Sequence, residues 1–527
     1  MAPWAKIAYY VTVNVNPMHS PTTLLLVFAS FAGVSAAADS YDARLAAALN
    51  KVNQVAMAGP FKPSWASLEK YKVPEWYADA KFGIFIHWGV YSVPAHANEW
   101  YPRNMYQPDE EVYQYHIKTY GPQSQFGYKD FIPKFKAEKF DATAWATLFR
   151  KAGAKFVVPV AEHHDGFPMY DCSFTDWSAA KMGPKRDIVG ELAAAVKKQG
   201  VHFGASSHRA EHWWFYDGGM KFDSDVKDPK NAGLYGPAMP EKTPDGKSES
   251  SPSAAYMDDW LARTSEIVDK YQPELVWFDW WIEQPVFQPY LQKFAAFYYN
   301  RGAQWNKGGV AINYKNKSFP DTAAVLDIER GKLDKSRPYL WQTDTSIGLK
   351  SWGYIEGENF RSADSLVDDL IDIASKNGVL LLNIGPRSDG TIPEEAQKIL
   401  LDMGKWLETN GEAVYGTRPW KVFGEGPTEV ISGGFTDAKS KAFTAEDVRF
   451  TRKGNVLYAI VLDRPTSPLN IKSLGKSAGL LDQRIGSIRL LGSTEKVQWA
   501  QGDGALTLQP PSPGSGQYAW AYRIELQ

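Results

Sequence analysis

A carboxylate stands at the end of an apolar segment, PELVWFDWW, at residues 273–281. The segment is typical of a buried strand, and Asp279 then follows between Phe278 and Trp280. An acid at the mouth of a buried strand can serve as a nucleophile, as a proton donor or acceptor, or as a metal ligand. Which of these tasks it performs depends on the groups that the fold brings to it.

Short apolar runs of the same kind recur along the chain, at 81–88, 155–163, 201–208, 274–280, 309–314, 323–330, 339–344 and 378–386. A polar residue recurs at the same end of nearly every run. These residues are His87, Glu162, His163, His164, His208, Asp279, Asn313, Glu329, Gln342, Asp344 and Asn383. One such residue is usually a hydrogen-bonded core residue, but the whole series indicates a site.

The elements between the runs predict how these ends are positioned. Most runs are apolar on both faces, as strands of a parallel sheet covered by helices must be. Helical patterns separate them, at 187–200, 256–272 and 362–378. In the last pattern Leu366, Leu370 and Ile373 share one face, Ser362 can cap the start, and Gly378 can close it in the left-handed conformation.

Strands that alternate with helices in this way predict an α/β fold, a (β/α)8 TIM-like barrel. An open doubly wound sheet is the rival, but it usually has a Gly-rich phosphate loop after its first strand, and none is found here. In a barrel, active sites are built at the carboxyl ends of the strands. The polar residues are therefore expected to converge.

After Trp420 the pattern changes to strict alternation, clearest at 518–526 and repeated at 455–463 and 487–493. Alternation with a period of two predicts a C-terminal antiparallel β-sandwich domain. We therefore divide the chain into a signal peptide with an N-terminal extension (1–38), an N-terminal segment (39–63), the catalytic barrel (64–420) and the sandwich (421–527).

The N-terminal stretch from Thr22 to Ser40 is apolar and ends in small residues near Ala36 to Ala38. It predicts a secretory signal, with Met18 as an alternative start, and hence an extracellular protein, with delivery to a lysosome-like compartment as the alternative. A net charge of −2 without a long basic run excludes nucleic acid and anionic membranes as expected partners. The single cysteine, Cys172, rules out a disulfide framework, and the oligomeric state is left open.

Two chemistries fit the polar set. Metal binding is the first, invited by EHHD at 162–165, but adjacent residues on a strand point to opposite faces, so His163 and His164 are expected to diverge. The second uses neutral imidazoles to bind sugar hydroxyls and two carboxylates for hydrolysis. The 20 tryptophans fit the second, since flat rings cover the C–H faces of sugars. We expect no metal and no other cofactor.

Five motifs stand in order along the chain: KFGIFIHWGVYSVPAHANEWYPRNMY (81–106), EHHDGFPMYDCSFTDWSA (162–179), LVWFDWW (275–281), SWGY (351–354) and LLLNIGP (380–386). Together they resemble the α-L-fucosidases of glycoside hydrolase family 29. The resemblance runs from about Lys81 to Trp420, and it implies a retaining exo-glycosidase that removes terminal α-L-fucose from oligosaccharides or glycoconjugates without a cofactor. An inactive fucose-binding lectin on the same barrel, or a hydrolase of a related sugar such as an α-L-galactoside, remain as alternatives.

The resemblance also implies site residues. Asp279 stands at the family's nucleophile position, and Glu329 is the expected acid/base, with Glu99, Glu356 and Glu358 as alternatives for that role. Gln342, at another family position for the acid, cannot donate as one. The residues expected to bind the sugar are His87, Glu99, Trp100, His163, His164, His208, Trp277, Lys315 and Trp352.

Two of those sugar-binding residues differ from the residues of some relatives. Ser206 or His208 replaces a tyrosine after the third strand, and Lys315 replaces an arginine after the fifth. The linkage preference and the natural glycan are left open. The polar segment 217–256 is rich in Gly, Pro and Ser and follows the third strand. It predicts a mobile loop over the pocket that selects the leaving group, or a loop that is disordered without function.

Overall fold

The computed structural model describes residues 40–305 and 308–527, so the predicted signal segment at 1–38 and the secretion it implies lie outside the described residues. The helices are α1 Tyr41–Ala58, α2 Trp65–Leu68, α3 Glu75–Ala80, α4 Tyr101–Asn104, α5 Glu111–Tyr120, α6 Ala142–Lys151, α7 Ile188–Lys198, α8 Ala232–Tyr235, α9 Ala254–Tyr271, α10 Gln288–Trp305, α11 Ala363–Ser375 and α12 Glu394–Asn410. Within the described ranges, none of these helices is long and apolar enough to cross a bilayer.

Eight parallel strands close into a barrel in sequence order, which confirms the predicted (β/α)8 architecture. They are β1 Phe82–Ile86, β2 Phe156–Glu162, β3 His202–Ser207, β4 Leu275–Phe278, β5 Ala311–Tyr314, β6 Val325–Glu329, β7 Trp341–Ser346 and β8 Gly378–Ile384. Each lies within, or within two residues of, an apolar run of the sequence. Burial on both faces explains this agreement, because the interior is packed with side chains and the outside is covered by helices.

Helix α11 illustrates how local sequence sets the element ends. The Ser362 hydroxyl accepts a hydrogen bond from the Ser365 N–H, and Leu366, Leu370 and Ile373 are buried, as predicted. The predicted closure at Gly378 is wrong. Asn377 takes the left-handed conformation instead, with a φ of 70°, and Gly378 already begins β8. Asparagine tolerates this conformation better than most residues, so the turn ends one residue earlier.

The C-terminal region forms two antiparallel sheets, as predicted. The five-stranded sheet has the order β13-β16-β11-β10-β9 and the three-stranded sheet has the order β12-β15-β14. Their strands are β9 Arg418–Glu425, β10 Val448–Lys453, β11 Val456–Val461, β12 Leu469–Ile471, β13 Ile485–Leu490, β14 Trp499–Gln501, β15 Leu506–Leu508 and β16 Trp520–Leu526. Apolar side chains from both sheets share one core.

The barrel and the sheets are joined through buried charges. The Asp372 carboxylate on α11 accepts hydrogen bonds from Lys376 Nζ at 2.8 Å and from Arg449 Nε on β10 at 2.6 Å. All three side chains are buried, so each charge depends on its partners for compensation. This contact fixes the sandwich against the outside of the barrel.

Candidate active site

A cavity of about 1300 Å³ opens at the carboxyl ends of the barrel strands. Its lining includes the eleven site residues that the resemblance implied, namely His87, Glu99, Trp100, His163, His164, His208, Trp277, Asp279, Lys315, Glu329 and Trp352. Asp344 of the strand-end series also lines it, whereas the other members Glu162, Asn313, Gln342 and Asn383 do not. They come from different strands and from the loops that follow them. The shared edge of a parallel barrel therefore brings together residues that are widely separated in sequence.

The two adjacent histidines of the EHHD motif both reach this cavity, which contradicts the expectation that they diverge. The ring centroids of His163 and His164 are 4.2 Å apart. Strand β2 ends at Glu162, and its register against β3 shifts between Val160 and Glu162. The alternation of side chains therefore no longer applies where the two histidines follow.

The histidines are uncharged hydrogen-bonding groups. Burial lowers the pKa of His163, His164 and His208, and that of His87 lies well below its usual value for the same reason. His87 Nδ1 lies 2.8 Å from the Asn383 side-chain oxygen, which can only accept. Nδ1 therefore donates, and Nε2 of His87 is left as an acceptor. The histidine cluster can therefore donate hydrogen bonds to ligand hydroxyl groups and also accept hydrogen bonds from them.

Asp279, directly after β4, is held as a carboxylate. Its Oδ2 accepts from His208 Nδ1 at 2.8 Å, and its Oδ1 lies 3.1 Å from Lys315 Nζ. The Ser206 hydroxyl donates a hydrogen bond to the other ring nitrogen of His208, Nε2, at 2.9 Å. This second bond fixes the orientation of the ring. Burial alone would raise the pKa of Asp279, but Lys315 and the hydrogen bond from His208 hold that pKa well below its usual value.

Glu329, the last residue of β6, has the opposite character. Its Oε2 lies 2.6 Å from Lys315 Nζ, and its side chain is 20% exposed. Burial raises the pKa of Glu329 to about 7 despite that cation, and the charges of Asp344 and Asp279 add to the increase. The site thus contains one acid that is ionised and one that holds its proton near neutral pH.

One lysine fixes the spacing of these two acids. Because Asp279 Oδ1 and Glu329 Oε2 lie 3.1 and 2.6 Å from the same Nζ atom, they cannot be more than about 5.7 Å apart, the sum of the two distances. Burial alone would lower the pKa of Lys315, but the surrounding carboxylates raise it well above its usual value. Lys315 is therefore a permanent cation between them.

Two further acids behind Lys315 were given no role in the sequence analysis. Asp344 Oδ2 lies 3.5 Å from Lys315 Nζ, and Asp327 accepts a hydrogen bond from Gln342 Nε2 at 2.6 Å. Burial raises the pKa of Asp327 well above its usual value, and the neighbouring Asp344 raises it further. Asp327 could have been recognised, since it precedes Glu329 by two positions and so shares its face of the strand.

Aromatic rings form much of the remaining wall. Trp352 lies in a loop that Glu99 holds, since the Glu99 Oε2 accepts from the Trp352 N–H at 2.8 Å and from the Ser351 hydroxyl at 3.1 Å. The Arg330 guanidinium lies 4.7 Å from the Trp352 ring centroid. Glu99 is thus engaged in holding this loop. Glu356 and Glu358 do not line the cavity, which weakens them as alternatives to Glu329.

Metal binding would need groups that are already engaged. Among the described residues, two sets hold potential ligand atoms within 4.8 Å of one another, His87 with His163 and His208, and His164 with His208 and Asp279. His208 belongs to both, yet its two nitrogens are hydrogen-bonded to Ser206 and Asp279. A metal would have to break one of those bonds, so hydrogen bonding fits the cluster better. The absence of a cofactor stays a prediction.

A segment from beyond the barrel also lines the cavity, which the sequence analysis missed. We call residues 433–438 the rim segment; its lining residues are Gly433, Gly434, Phe435, Asp437 and Ala438. Its backbone binds the end of β6, where the Phe435 N–H donates to the Glu329 carbonyl at 2.8 Å and the Thr436 N–H donates to the Arg330 carbonyl at 2.8 Å.

The polar segment 217–256 contributes no residue to the lining, so its predicted place over the cavity is not supported. Its first half folds into short helices and is anchored to the protein. The Asp225 carboxylate accepts hydrogen bonds from the hydroxyls of Tyr106, at 2.7 Å, and Tyr235. The segment is thus partly ordered rather than a free loop.

Comparisons with known proteins agree with this geometry. The family model for alpha-L-fucosidase matches residues 48–412, and the model for the alpha-L-fucosidase C-terminal domain matches residues 441–527. The tissue alpha-L-fucosidase of Rattus norvegicus is 31% identical over 479 residues, covering 88% of this chain and 92% of the rat chain. The tissue alpha-L-fucosidase of Homo sapiens is 30% identical over 475 residues, covering 88% and 91%.

Among solved structures, the alpha-fucosidase of Thermotoga maritima in complex with fucose matches with a TM-score of 0.68 and 31% identity, covering 88% of this chain and all of that chain. Fold, site and sequence together place the chain among the glycoside hydrolases. Within that class, it belongs to the α-L-fucosidase family.

Proposed function

We propose that this α-L-fucosidase is a retaining exo-hydrolase that acts on terminal α-L-fucose through a covalent fucosyl-enzyme, with Asp279 as nucleophile and Glu329 as acid/base. The observation that carries this proposal is the contact of both acids with Lys315 Nζ, which limits the distance between Asp279 Oδ1 and Glu329 Oε2 to about 5.7 Å. Retaining glycosidases hold their two carboxyl groups roughly 5–5.5 Å apart, whereas inverting enzymes leave room for a water molecule, at roughly 6.5–9.5 Å.

In the first step the Asp279 carboxylate attacks the anomeric carbon of the fucose. The bond from that carbon to the glycosidic oxygen breaks, and Glu329 gives its proton to the departing oxygen. In the second step Glu329, now ionised, takes a proton from water, whose oxygen attacks the anomeric carbon and releases Asp279. Two inversions leave the α configuration unchanged.

The protonation states at rest suit this sequence. Asp279 must be ionised to attack, and Lys315 and His208 hold its pKa well below the usual range. Glu329 must be protonated, and its pKa is raised to about 7 by burial and neighbouring carboxylates. Activity therefore rises as the pH passes the low pKa of Asp279 and falls as it passes about 7, so we expect a bell-shaped profile with an acidic optimum.

The rest of the cavity suits a 6-deoxy sugar. The neutral histidines supply donors and acceptors for ring hydroxyls, and Trp277 and Trp352 provide an apolar wall for the C6 methyl group. Full burial of such a methyl contributes on the order of 1 kcal/mol. Comparing the aryl α-L-fucoside with the aryl α-L-galactoside tests this assignment, and we expect the fucoside to be the better substrate. A lectin would bind fucose and hydrolyse neither glycoside.

The nucleophile is tested by replacing it. We expect Asp279→Gly to lose hydrolysis and to form β-L-fucosyl azide from an activated aryl fucoside when azide is added, because azide fills the space of the carboxylate. Glu283→Gly, at another carboxylate of the cavity lining, should keep hydrolysis and form no azide product. Failure of Asp279→Gly to form the azide, or release of β-L-fucose first by the wild type in NMR, would refute the proposal.

The acid is tested through the leaving group. We expect Glu329→Gln to lose most activity on fucosylated oligosaccharides but little on 2,4-dinitrophenyl fucoside, whose phenolate leaves without a proton. Glu283→Gln is the matched control and should show no such difference. Equal losses on both substrates in Glu329→Gln would move the acid role to another residue.

A further inference from the structure

We propose that the rim segment, with Phe435 as its platform, forms the binding site for the leaving group, and that its occupant is the pyranose to which the terminal fucose is attached. This inference rests on the proposed function, because it uses Glu329 as the proton donor. It adds a specificity-determining residue from outside the barrel.

The first observation is the exposure of Phe435. It lines the cavity and is 63% exposed, more than any other large hydrophobic side chain among the described residues. Leu349, which is not part of the rim segment, also lines the cavity and is 53% exposed. Exposed apolar side chains at the edge of a polar cavity are typical of a ligand-binding surface, and an aromatic face suits the C–H face of a sugar.

The second observation is the backbone that holds Phe435 there. Its φ is 55°, a left-handed conformation that is disfavoured for a bulky residue. Arg330, which contacts the rim segment, is also left-handed, with a φ of 44°. The Phe435 N–H donates to the Glu329 carbonyl, and the Thr436 N–H donates to the Arg330 carbonyl. These hydrogen bonds maintain the two left-handed conformations. Strain that is held in this way is characteristic of functional positions.

The third observation identifies the occupant. The proton of Glu329 goes to the glycosidic oxygen, so the leaving group must lie beside the Glu329 carboxyl. Phe435 lines the same cavity, and its N–H binds the Glu329 carbonyl. The floor, with His87, His163 and Asp279, is buried, whereas Phe435 and Leu349 are exposed. The cavity of about 1300 Å³ is larger than the usual range for one small molecule, roughly 300–1000 Å³. It therefore has room for a second sugar above the fucose.

The rim segment is separate from the regions that define the family. The two family models match residues 48–412 and 441–527, and residues 433–438 lie between them. The two family models therefore assign no role to this segment, and the proposal depends on the contacts of this chain.

The test compares two substrates that differ only in the leaving group. α-L-Fucosyl fluoride has no leaving-group sugar, and the other substrate is whichever neutral α-L-fucosyl disaccharide the wild type cleaves fastest. We expect Phe435→Ala to lower kcat/KM on the disaccharide by about tenfold, mainly through KM, and to leave that on the fluoride within about twofold. Phe435→Tyr, which keeps the ring, should retain the wild-type value on both.

Ile431→Ala is the matched control, since Ile431 is 49% exposed, lies two residues before the rim segment and does not line the cavity. It should change neither value. If Phe435→Ala lost kcat/KM equally on both substrates, Phe435 would act by positioning Glu329. If it lost kcat/KM on neither, Phe435 would not contact the leaving group. Each of these results overturns the inference. A wild type that cleaves the fluoride but no disaccharide also overturns it, while one that cleaves neither refutes the proposed function itself.

Discussion

Replacing Lys315 by methionine should move the whole pH profile of the enzyme to higher pH. The ammonium group lies 3.1 Å from Asp279 and 2.6 Å from Glu329, and it favours the ionised form of both. Without it, burial raises the pKa of Asp279 from its low value, and the pKa of Glu329, already about 7, rises further. Both limbs of the bell therefore shift in the same direction.

The size of the shift follows from the geometry. Two unit charges about 3 Å apart interact by about 5 kcal/mol at an effective dielectric constant of about 20, which corresponds to about 4 pKa units. That is an upper limit, because the site can relax and because Asp279 keeps its hydrogen bond from His208. We expect the alkaline limb, which reports Glu329, to rise by about 2 pH units, toward about pH 9.

The assay is kcat/KM for an aryl α-L-fucoside between about pH 3 and 10, where the limbs report the groups of the free enzyme. Lys315→Arg keeps the cation and should move the limbs far less. Lys317→Met removes an exposed lysine of the cavity lining and should leave both limbs in place. The contrary results are an alkaline limb of Lys315→Met that does not move and one that moves to lower pH, while both controls behave as stated. Either result would refute the electrostatic assignment of the two acids.

Three further predictions concern stability, measured as the thermal midpoint at a fixed scan rate. Lys81 is fully buried with no partner for its ammonium among the described residues, and burial lowers its pKa to about 7. Lys81→Met should therefore raise the thermal midpoint, and the gain should be largest at pH 7 and below. The gain should fade toward pH 10, where the folded and unfolded states of the wild type both lose the proton. Leu370→Ala removes a fully buried side chain and should cost about 2–5 kcal/mol, whereas Leu349→Ala, at an exposed leucine, should cost less than about 0.5 kcal/mol. Asp372→Ala leaves two buried cations unpaired between barrel and sandwich and should cost about 3–5 kcal/mol, and a midpoint near that of the wild type would contradict it.

The barrel was predictable because its strands are buried on both faces and therefore are continuous apolar runs, as at Leu275–Phe278. The site was predictable for a related reason. Parallel strands in a closed barrel end at one rim, so polar residues that follow different strands are brought near one another. The rule holds for His87, His208 and Asp279, but Glu162, Asn313, Gln342 and Asn383 do not line the cavity. The geometry of the barrel predicts only that Asp279 and Glu329 lie at the same rim, and their pairing as nucleophile and acid came from the resemblance to the family. Their shared contact with Lys315 could not be foreseen.

What escaped prediction depends on register and on distant contacts. The positions of Asp327 and Asp344 near Lys315 depend on the alignment of β6 with β7, in which Asp327 lies opposite Gln342 and Glu329 lies opposite Asp344. A single sequence does not specify that alignment. A shift in β2 turned His163 into the cavity beside His164. The contact of Phe435 with Glu329 spans more than a hundred residues and leaves no periodic signal.

The backbone hydrogen bonds between the rim segment and the end of β6 also have a consequence for how the substrate range evolves. A module appended after the barrel supplies part of the entrance to the catalytic centre, through main-chain bonds that tolerate many side chains. Exchange or drift in that short stretch could therefore alter which glycans are accepted while the hydrolytic machinery stays intact. Diversification of substrate range would then proceed from the neighbouring domain, and a barrel expressed without it would be an incomplete enzyme.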